Sequence, residues 1–177
     1  RSDPDGDGQV IELAAASGER ATARLQVPGP YNGYNAAAAV LAAGELGVPL
    51  GRAVAALEAT RPAFGRGQVV DYRGRRVKLL LVKNPAGFNQ AIRLLAALPP
   101  GAPVLVAIND LDADGRDVSW LWDARVEDLA ASGHHFGTAG LRAFDMALRL
   151  KYAGLPAWSE TDFAAALERF AAGVPQG

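Results

Sequence analysis

Short apolar runs alternate with amphipathic segments through the second half of this chain, and that alternation limits the folds available to it. Strands are predicted at residues 104–108, 134–136 and 157–158. Helices are predicted at residues 88–98, 124–131, 141–151 and 161–171, with Ser159 or Thr161 as the cap of the last one. Strands that alternate with helices of this length pair in parallel through right-handed crossovers. The sequence therefore predicts an α/β domain, a mostly parallel sheet with flanking helices.

The first 63 residues have a different pattern. Residues 9–13 and 22–27 alternate as the two strands of a β-hairpin turning at Ser17-Gly18, and helices are predicted at 33–46 and 51–58. Two strands cannot hold a core alone, so this part is predicted to be the end of a larger domain, with the boundary after residue 63. Asn32 and Asn35 stand at the start of the first helix. Asn32 capping the helix while Asn35 faces solvent is the favoured interpretation, and two amides directed at a ligand is the alternative.

Between the two parts, a turn leads into a strand at residues 64–72, and a buried strand is predicted at 77–82. Arg66 lies between two glycines, which is a weak resemblance to a phosphate-binding loop. Lys83 follows the second strand and is expected at a carboxyl edge of the sheet, where it could hold a phosphate or a carboxylate. A lysine at such a position is more often a surface residue.

Composition excludes several classes of function. The net charge of −1 provides no field for binding nucleic acid, and the absence of cysteine excludes disulfides, thiolate zinc sites and cysteine nucleophiles. No run of about 18 apolar residues occurs, so an integral membrane protein is not expected. The chain starts without methionine or a signal peptide, which predicts a fragment whose catalytic parts lie upstream.

Two acidic stretches imitate the first half of a calcium loop, one at Asp3, Asp5 and Asp7 and one at Asp110, Asp112 and Asp114. The twelfth position of such a loop requires a bidentate glutamate. Ala14 and Leu121 stand at those positions, so no metal site is predicted at either stretch.

The second acidic stretch continues through Arg116 and Asp117 to two tryptophans, Trp120 and Trp122. Arg116 could lower the pKa of Asp117, and an ionised Asp117 could orient a histidine; the alternative is an acid that caps a helix. One of the two indoles is expected to fill the core and the other to meet a partner. His134 and His135 are predicted to belong to a strand, and no G-x-S-x-G nucleophile motif occurs.

Three stretches resemble the Mur ligase family, and within it the MurT branch. They are P-G-P-Y-N-G-Y-N-A-A-A-A at 28–39, K-N-P-A-G-F-N at 83–89 and D-A-D-G-R-D-V-S-W-L-W-D at 112–123. The resemblance implies the end of a central ATPase domain at 1–63, followed by a Rossmann-like C-terminal domain at 64–177.

It also implies a reaction. The MurT branch uses ATP and Mg²⁺ to activate the α-carboxylate of D-isoglutamate in the lipid II stem peptide as an acyl phosphate. Ammonia from GatD, a class I glutamine amidotransferase subunit, then displaces the phosphate and leaves D-isoglutamine. Such an enzyme is cytoplasmic and acts at the inner face of the cell membrane.

The resemblance assigns roles by position. Asn32 and Asn35 match asparagines near the adenine, and Arg66 matches an arginine near the nucleotide. Lys83 stands where other Mur ligases have a histidine after Asp-Tyr-Ala. Here Leu80-Leu81-Val82 replaces that run, so the ribose-binding acid is missing.

Asp117 matches an aspartate that completes the Cys-His-Asp triad of GatD across the interface. Arg116, Trp120 and Trp122 are then expected at that interface.

Departures from the family leave two alternatives open. The Walker-type phosphate loop, its lysine and the four-cysteine zinc ribbon are absent from this sequence and are expected upstream, so the fragment alone is not expected to be active. One alternative is the C-terminal domain of another Mur or folylpolyglutamate-type ligase, which would need an amino-acid-binding motif that we do not find. The other is a non-catalytic α/β interaction module, for which mutation of Asp117 would leave the partner's activity unchanged.

Overall fold

The computed structural model describes residues 8–15, 17–62 and 65–174. The chain divides into two compact units. The first comprises Arg1–Gln68 and Lys78–Leu81, and the second comprises Val69–Val77 and Val82–Gly177. The predicted boundary between residues 63 and 64, and the predicted acidic stretch at Asp3, Asp5 and Asp7, lie outside the described residues.

The first unit contains the predicted β-hairpin and two helices. Strands β1 (Gln9–Ala14) and β2 (Arg20–Leu25) are antiparallel, with Gln9 opposite Leu25, which confirms the hairpin. Helices α1 (Pro30–Glu45) and α2 (Leu50–Ala59) follow. The buried residues of this unit's core come from β2 and both helices: Ala23, Leu25, Ala36 and Val54. Helix α1 begins earlier than predicted because a proline, which lacks a backbone N–H and has a fixed φ, suits the first helical position.

A second hairpin corrects the prediction of a buried strand at residues 77–82. Strands β3 (Arg66–Tyr72) and β4 (Arg75–Leu80) form a two-stranded sheet of their own. They are joined by Arg73 and Gly74, both at positive φ, as a tight hairpin turn requires. That turn pairs β4 with β3, so within the described residues Lys83 does not follow a strand of the parallel sheet. The apolar run of β4 is only partly covered, with Leu79 39% exposed.

The second unit contains the predicted parallel sheet. Strands β5 (Pro103–Ala107), β6 (His135–Ala139) and β7 (Ala157–Glu160) are parallel, in the order β5-β6-β7. Three α-helices belong to this unit: α3 (Pro85–Ala96), α4 (Ala143–Tyr152) and α5 (Phe163–Gly173). Helices α4 and α5 pack against the sheet, which confirms the α/β fold class.

Side chains cap both α3 and α5, and the cap of α5 differs from the sequence-based expectation. The Asn84 side chain caps α3 by accepting a hydrogen bond from the Gly87 amide, at 2.8 Å. Asp162, rather than Ser159 or Thr161, caps α5 by accepting from the Ala165 amide, also at 2.8 Å. The Ser159 hydroxyl is instead engaged within the sheet, where it accepts a hydrogen bond from Thr138.

The predicted helix at residues 124–131 is wrong. Only Val126–Leu129 is helical in that range, and it is a 3-10 helix that follows another one, Ser119–Asp123. We call these two helices and the two residues between them, 124 and 125, the 3-10 segment. In the predicted α-helix the Ala124 carbonyl would accept a hydrogen bond from the Asp128 amide. That amide donates instead to the Arg125 carbonyl, at 3.1 Å, and the Ala124 carbonyl accepts from the Val126 amide and from the side chain of Arg149 on α4. Short-range 3-10 bonds and a contact from a distant residue therefore replace the α-helical ladder.

Candidate functional site

The carboxyl ends of β5 and β6 are joined by close contacts. Gly140 has φ +86°, and a Cβ at this position would lie 2.5 Å from the Ile108 carbonyl oxygen, so only glycine fits. The Leu141 amide donates to the Asn109 side chain at 3.0 Å. The Arg142 guanidinium donates to the Asp110 carboxylate, with Nε 2.9 Å and Nη2 2.7 Å from the same oxygen. The loop that leaves β5 therefore starts from a braced edge, and the carboxylate of Asp110 serves this bracing.

The loop itself is exposed, and its arginine does not have the expected partner. Arg116 pairs with Asp112, with 2.6 Å between Nη2 and the carboxylate oxygen. Both side chains of that pair are at least 80% exposed. The expectation that Arg116 lowers the pKa of Asp117 is thus wrong, because the guanidinium is directed at an acid one helical turn earlier in the sequence.

Asp117 is held by Ser119. Its Oδ1 accepts a hydrogen bond from the Ser119 amide at 2.8 Å, at the first residue of the 3-10 segment. Hydrogen bonds from the Ser119 side chain and backbone lower the pKa of Asp117 below its ordinary value of 3.8, and slight desolvation opposes them. The carboxylate is therefore ionised at neutral pH. It also has acceptor positions left over, since an ionised carboxylate offers about four lone pairs and this one is exposed.

The two tryptophans occupy different environments within the first 3-10 helix. Trp120 is partly buried and meets the Phe88 ring edge-on, with 6.1 Å between ring centroids. Trp122 is 50% exposed and packs against Tyr152, with 5.5 Å between centroids. The residue between them, Leu121, fills the core instead and is only 1% exposed. The expectation that one of the two indoles fills the core is therefore wrong, because the segment is a 3-10 helix that turns Leu121 toward the core.

Arg149, which no sequence motif singled out, packs against this segment. Its side chain is 4% exposed. Its guanidinium donates to the carbonyls of Leu121 and Ala124, at 3.1 and 2.6 Å, and to the Glu127 carboxylate at 2.8 Å. The guanidinium also lies 5.6 Å from the centre of the Trp122 ring. The available signal was an arginine on the face of α4 that otherwise carries small and apolar residues: Ala143, Met146, Leu150 and Ala153.

In the first unit, the two asparagines stand on the first two turns of α1. Asn32 does not cap the helix, because Gly29 occupies the cap position, and the Asn32 amide donates instead to the Pro28 carbonyl at 2.7 Å. Asn35 is exposed, as the favoured interpretation expected.

Arg66 of the first unit and Lys83 of the second are likewise exposed. Within the described residues, no hydrogen bond or ion pair engages the side chain of Asn35, Arg66 or Lys83.

The histidines have structural environments. His134 is buried, and its Nε2 lies 2.9 Å from the Leu95 carbonyl oxygen, while His135 opens β6. Among the residues that the structure describes, no group of three or more histidines and acids is placed to hold a metal ion. In the same part of the chain, no helix is both long and apolar enough to span a bilayer.

Comparisons with known proteins agree on one family. The family described as "MurT ligase C-terminal" matches residues 81–172. The MurT subunit of lipid II isoglutaminyl synthase (glutamine-hydrolyzing) from Streptococcus pneumoniae is 34% identical over 139 residues, covering 78% of this chain and 31% of that protein. Its namesake from Staphylococcus aureus is 33% identical over 130 residues, covering 73% and 30%. The chain thus spans about a third of the curated relatives it matches.

Solved structures show the same fold. MurF from Acinetobacter baumannii superposes with a TM-score of 0.70 at 22% identity, covering 94% of this chain and 36% of MurF. The UDP-N-acetylmuramate-alanine ligase MurC from Thermotoga maritima gives 0.67 at 15% identity, covering 89% and 35%. At these identities the likeness concerns the fold alone.

Proposed function

Because this chain belongs to the MurT family of Mur ligases, we propose that it is the part of a lipid II amidating ligase that docks a glutaminase subunit and contributes to that subunit's active site. Its relatives are named as one subunit of a glutamine-hydrolysing lipid II isoglutaminyl synthase. A ligase that hydrolyses glutamine in a separate subunit needs a surface where the two subunits meet. The exposed loop of residues 111–117 and the exposed ring of Trp122 support placing that surface after β5.

The proposed reaction converts the α-carboxylate of D-isoglutamate in the lipid II stem peptide to an amide. A carboxylate is a poor acyl donor, and ATP with Mg²⁺ would supply the phosphoryl group that turns it into one. Ammonia from a GatD-type class I amidotransferase then forms the C–N bond as phosphate leaves.

The family resemblance assigns four side chains to nucleotide binding, and three of them are accessible enough to contact ATP. Asn35, Arg66 and Lys83 are exposed. Arg66 and Lys83 carry the positive charge that suits phosphate. The Asn32 amide is committed to the Pro28 carbonyl, so Asn32 would act by fixing the start of α1. The sequence contains no phosphate-binding loop, so these residues could supply only part of an ATP site.

Asp117 carries the proposal for the partner's active site. A Cys-His-Asp triad needs an acid that accepts the second N–H of the histidine and thereby selects the tautomer that can activate the cysteine. The carboxylate of Asp117 is exposed and ionised, and Ser119 holds it by hydrogen bonds. Its remaining acceptor positions could accept an imidazole N–H from a docked subunit. This exposed, ionised and fixed carboxylate is the single observation on which the role rests.

The test is glutamine hydrolysis by the complex of the full-length ligase subunit with its glutaminase subunit. Asp117→Asn keeps the oxygen that accepts from Ser119 but removes the charge. We expect it to lower kcat by between about 10²- and 10⁴-fold, as loss of the orienting acid does in hydrolytic triads. Asp114→Asn, at an exposed acid in the same loop, is the matched control and should leave kcat within about twofold.

Equal rates for wild type and Asp117→Asn, with both bound to the glutaminase, would remove Asp117 from the triad. That result would favour a docking module without a catalytic contribution. Failure of both forms to bind would contradict the docking surface itself.

A further inference from the structure

The buried guanidinium of Arg149 has a role that the proposed function does not yet include. It satisfies two backbone carbonyls and one carboxylate, all of which belong to the 3-10 segment. These carbonyls, of Leu121 and Ala124, each accept one backbone amide as well, at 3.4 and 3.0 Å, but no amide four residues further along the chain as in an α-helix. Arg149 therefore fixes the path of a segment whose own backbone ladder is interrupted.

That segment is connected to Asp117 through the hydrogen bonds of Ser119. The Ser119 amide, at the first residue of the segment, donates to the Asp117 carboxylate at 2.8 Å. The backbone from Ser119 to Leu121 forms a single 3-10 helix, in which the Leu121 amide bonds to the Val118 carbonyl at 3.1 Å. A displacement of Leu121 would thus be carried to Ser119, and from there to the carboxylate that Ser119 holds.

We propose that Arg149 is a positioning residue for Asp117, and that its bonds to the 3-10 segment set the place from which the Asp117 carboxylate meets the glutaminase histidine. This inference rests on the proposed function. Arg149 is 4% exposed and its Nε and Nη2 donate inside the unit, so it acts through the segment rather than on the reacting groups.

The chemistry of the site favours positioning over stabilisation. Transferring a guanidinium out of water is costly, and apolar side chains of similar volume often stabilise a core as well or better. What an apolar side chain cannot do is bridge two carbonyls and a carboxylate in one fixed plane, and a guanidinium can. The arrangement therefore specifies the backbone path of the 3-10 segment, which is what an acid acting across an interface needs.

A double-mutant cycle in the full-length ligase subunit, complexed with its glutaminase subunit, tests this. Arg149→Met removes all three bonds and retains an apolar stem, and Arg149→Lys retains the cation without the planar fork. At saturating glutaminase subunit we expect Arg149→Met to lower kcat for glutamine hydrolysis by roughly 10- to 100-fold, since a misplacement of about 1 Å can cost that much. KM for glutamine should stay unchanged, and Arg149→Lys should fall in between.

Two comparisons separate positioning from loss of stability. The double variant Asp117→Asn with Arg149→Met should be no slower than Asp117→Asn alone, because both changes act through one carboxylate. Phe136→Leu, at a buried residue of the central strand β6, should lower the melting temperature and leave kcat within about twofold.

Multiplicative effects of the two substitutions, or an unchanged kcat in a folded Arg149→Met or Arg149→Lys complex, would overturn the positioning role while leaving Asp117 in the triad. If kcat in Phe136→Leu falls in proportion to its melting temperature, as in Arg149→Met, the effect is one of stability and the inference is overturned. An unchanged kcat in Asp117→Asn would overturn the proposed function and this inference together.

Discussion

A methyl group added at Gly137 tests the packing of the central strand most directly. Gly137 lies in β6 beneath the indole of Trp158 on β7, and a Cβ there would come 2.2 to 2.7 Å from three atoms of that ring. The guanidinium of Arg169 on α5 lies 4.4 Å from the centre of the Trp158 ring, so a displacement of the ring would weaken that cation–π contact. Gly137→Ala should therefore destabilise the second unit.

The magnitude follows from three opposing contributions. Overpacking a core costs about 1–3 kcal/mol, and a displaced indole would also lose a cation–π contact worth about 0.5–1 kcal/mol. Replacing a strand glycine by alanine returns about 0.5–1 kcal/mol. The net expectation is a loss of about 1–3 kcal/mol in the free energy of unfolding. In a unit of this size it corresponds to a fall of about 4–12 °C in melting temperature.

Urea denaturation followed by far-UV circular dichroism measures this change, with calorimetry for the melting temperature. Gly173→Ala is the matched control, since α5 ends at Gly173 and a Cβ there meets no atom within 4 Å. It should leave stability unchanged or raise it by up to about 1 kcal/mol. In a Trp158→Leu background, Gly137→Ala should cost less than about 0.5 kcal/mol. An equal cost in both backgrounds would refute the contact with the indole as its cause.

Two further outcomes follow from side chains that accept hydrogen bonds from backbone amides. Asn84→Ala removes the side-chain acceptor at the start of α3 and should lower the free energy of unfolding by about 1 kcal/mol. Asn84→Asp keeps an acceptor and should change that free energy by only about a few tenths of a kcal/mol. Equal losses for the two variants in urea denaturation would contradict the capping role. The carboxyl carbon of Asp117, followed by NMR, should titrate below 3.8, because the hydrogen bonds of Ser119 lower this pKa. Because the pKa of Asp117 is lower in the folded state than in the unfolded state, the ionised carboxylate stabilises the fold. This contribution is fully present at a pH above the unfolded-state pKa and is lost as the pH falls through the folded-state pKa. Ser119→Ala should move the midpoint back toward 3.8, and an unmoved midpoint would show that the Ser119 hydroxyl is not responsible.

The periodicity of the chain was enough to predict most elements of both units. Alternation in residues 9–25 predicted the first hairpin, and apolar runs bounded by turns predicted β5, β6 and β7. These predictions succeeded because side-chain periodicity follows from local backbone geometry. The same rule failed for β4, since periodicity alone does not tell which neighbour a strand pairs with. The turn at Arg73-Gly74 carried that information, because a two-residue turn returns the chain alongside the strand it has just left.

The caps could have been read from the sequence more closely. Asn84 followed by Pro85 is the typical start of a helix, with a capping side chain and then a proline at the first helical position. The partner of Asp117 was harder to predict. Arg116 is adjacent in sequence, yet it pairs with Asp112, since residues four apart in a turn come closer together than neighbours that point in different directions.

By itself, the sequence determined the family, the α/β class and the exposed acidic loop, because each depends on local patterns that need no distant partner. The tertiary structure decided how that loop is supported. The 3-10 segment in place of an α-helix depends on an arginine that is more than twenty residues distant in the chain and contacts the carbonyls of Leu121 and Ala124. The requirement for glycine at Gly137 of β6 likewise arises from the indole of Trp158, which leaves no room for a Cβ. Local propensity carries no information about such partners, because their free energy arises only when packing brings them together.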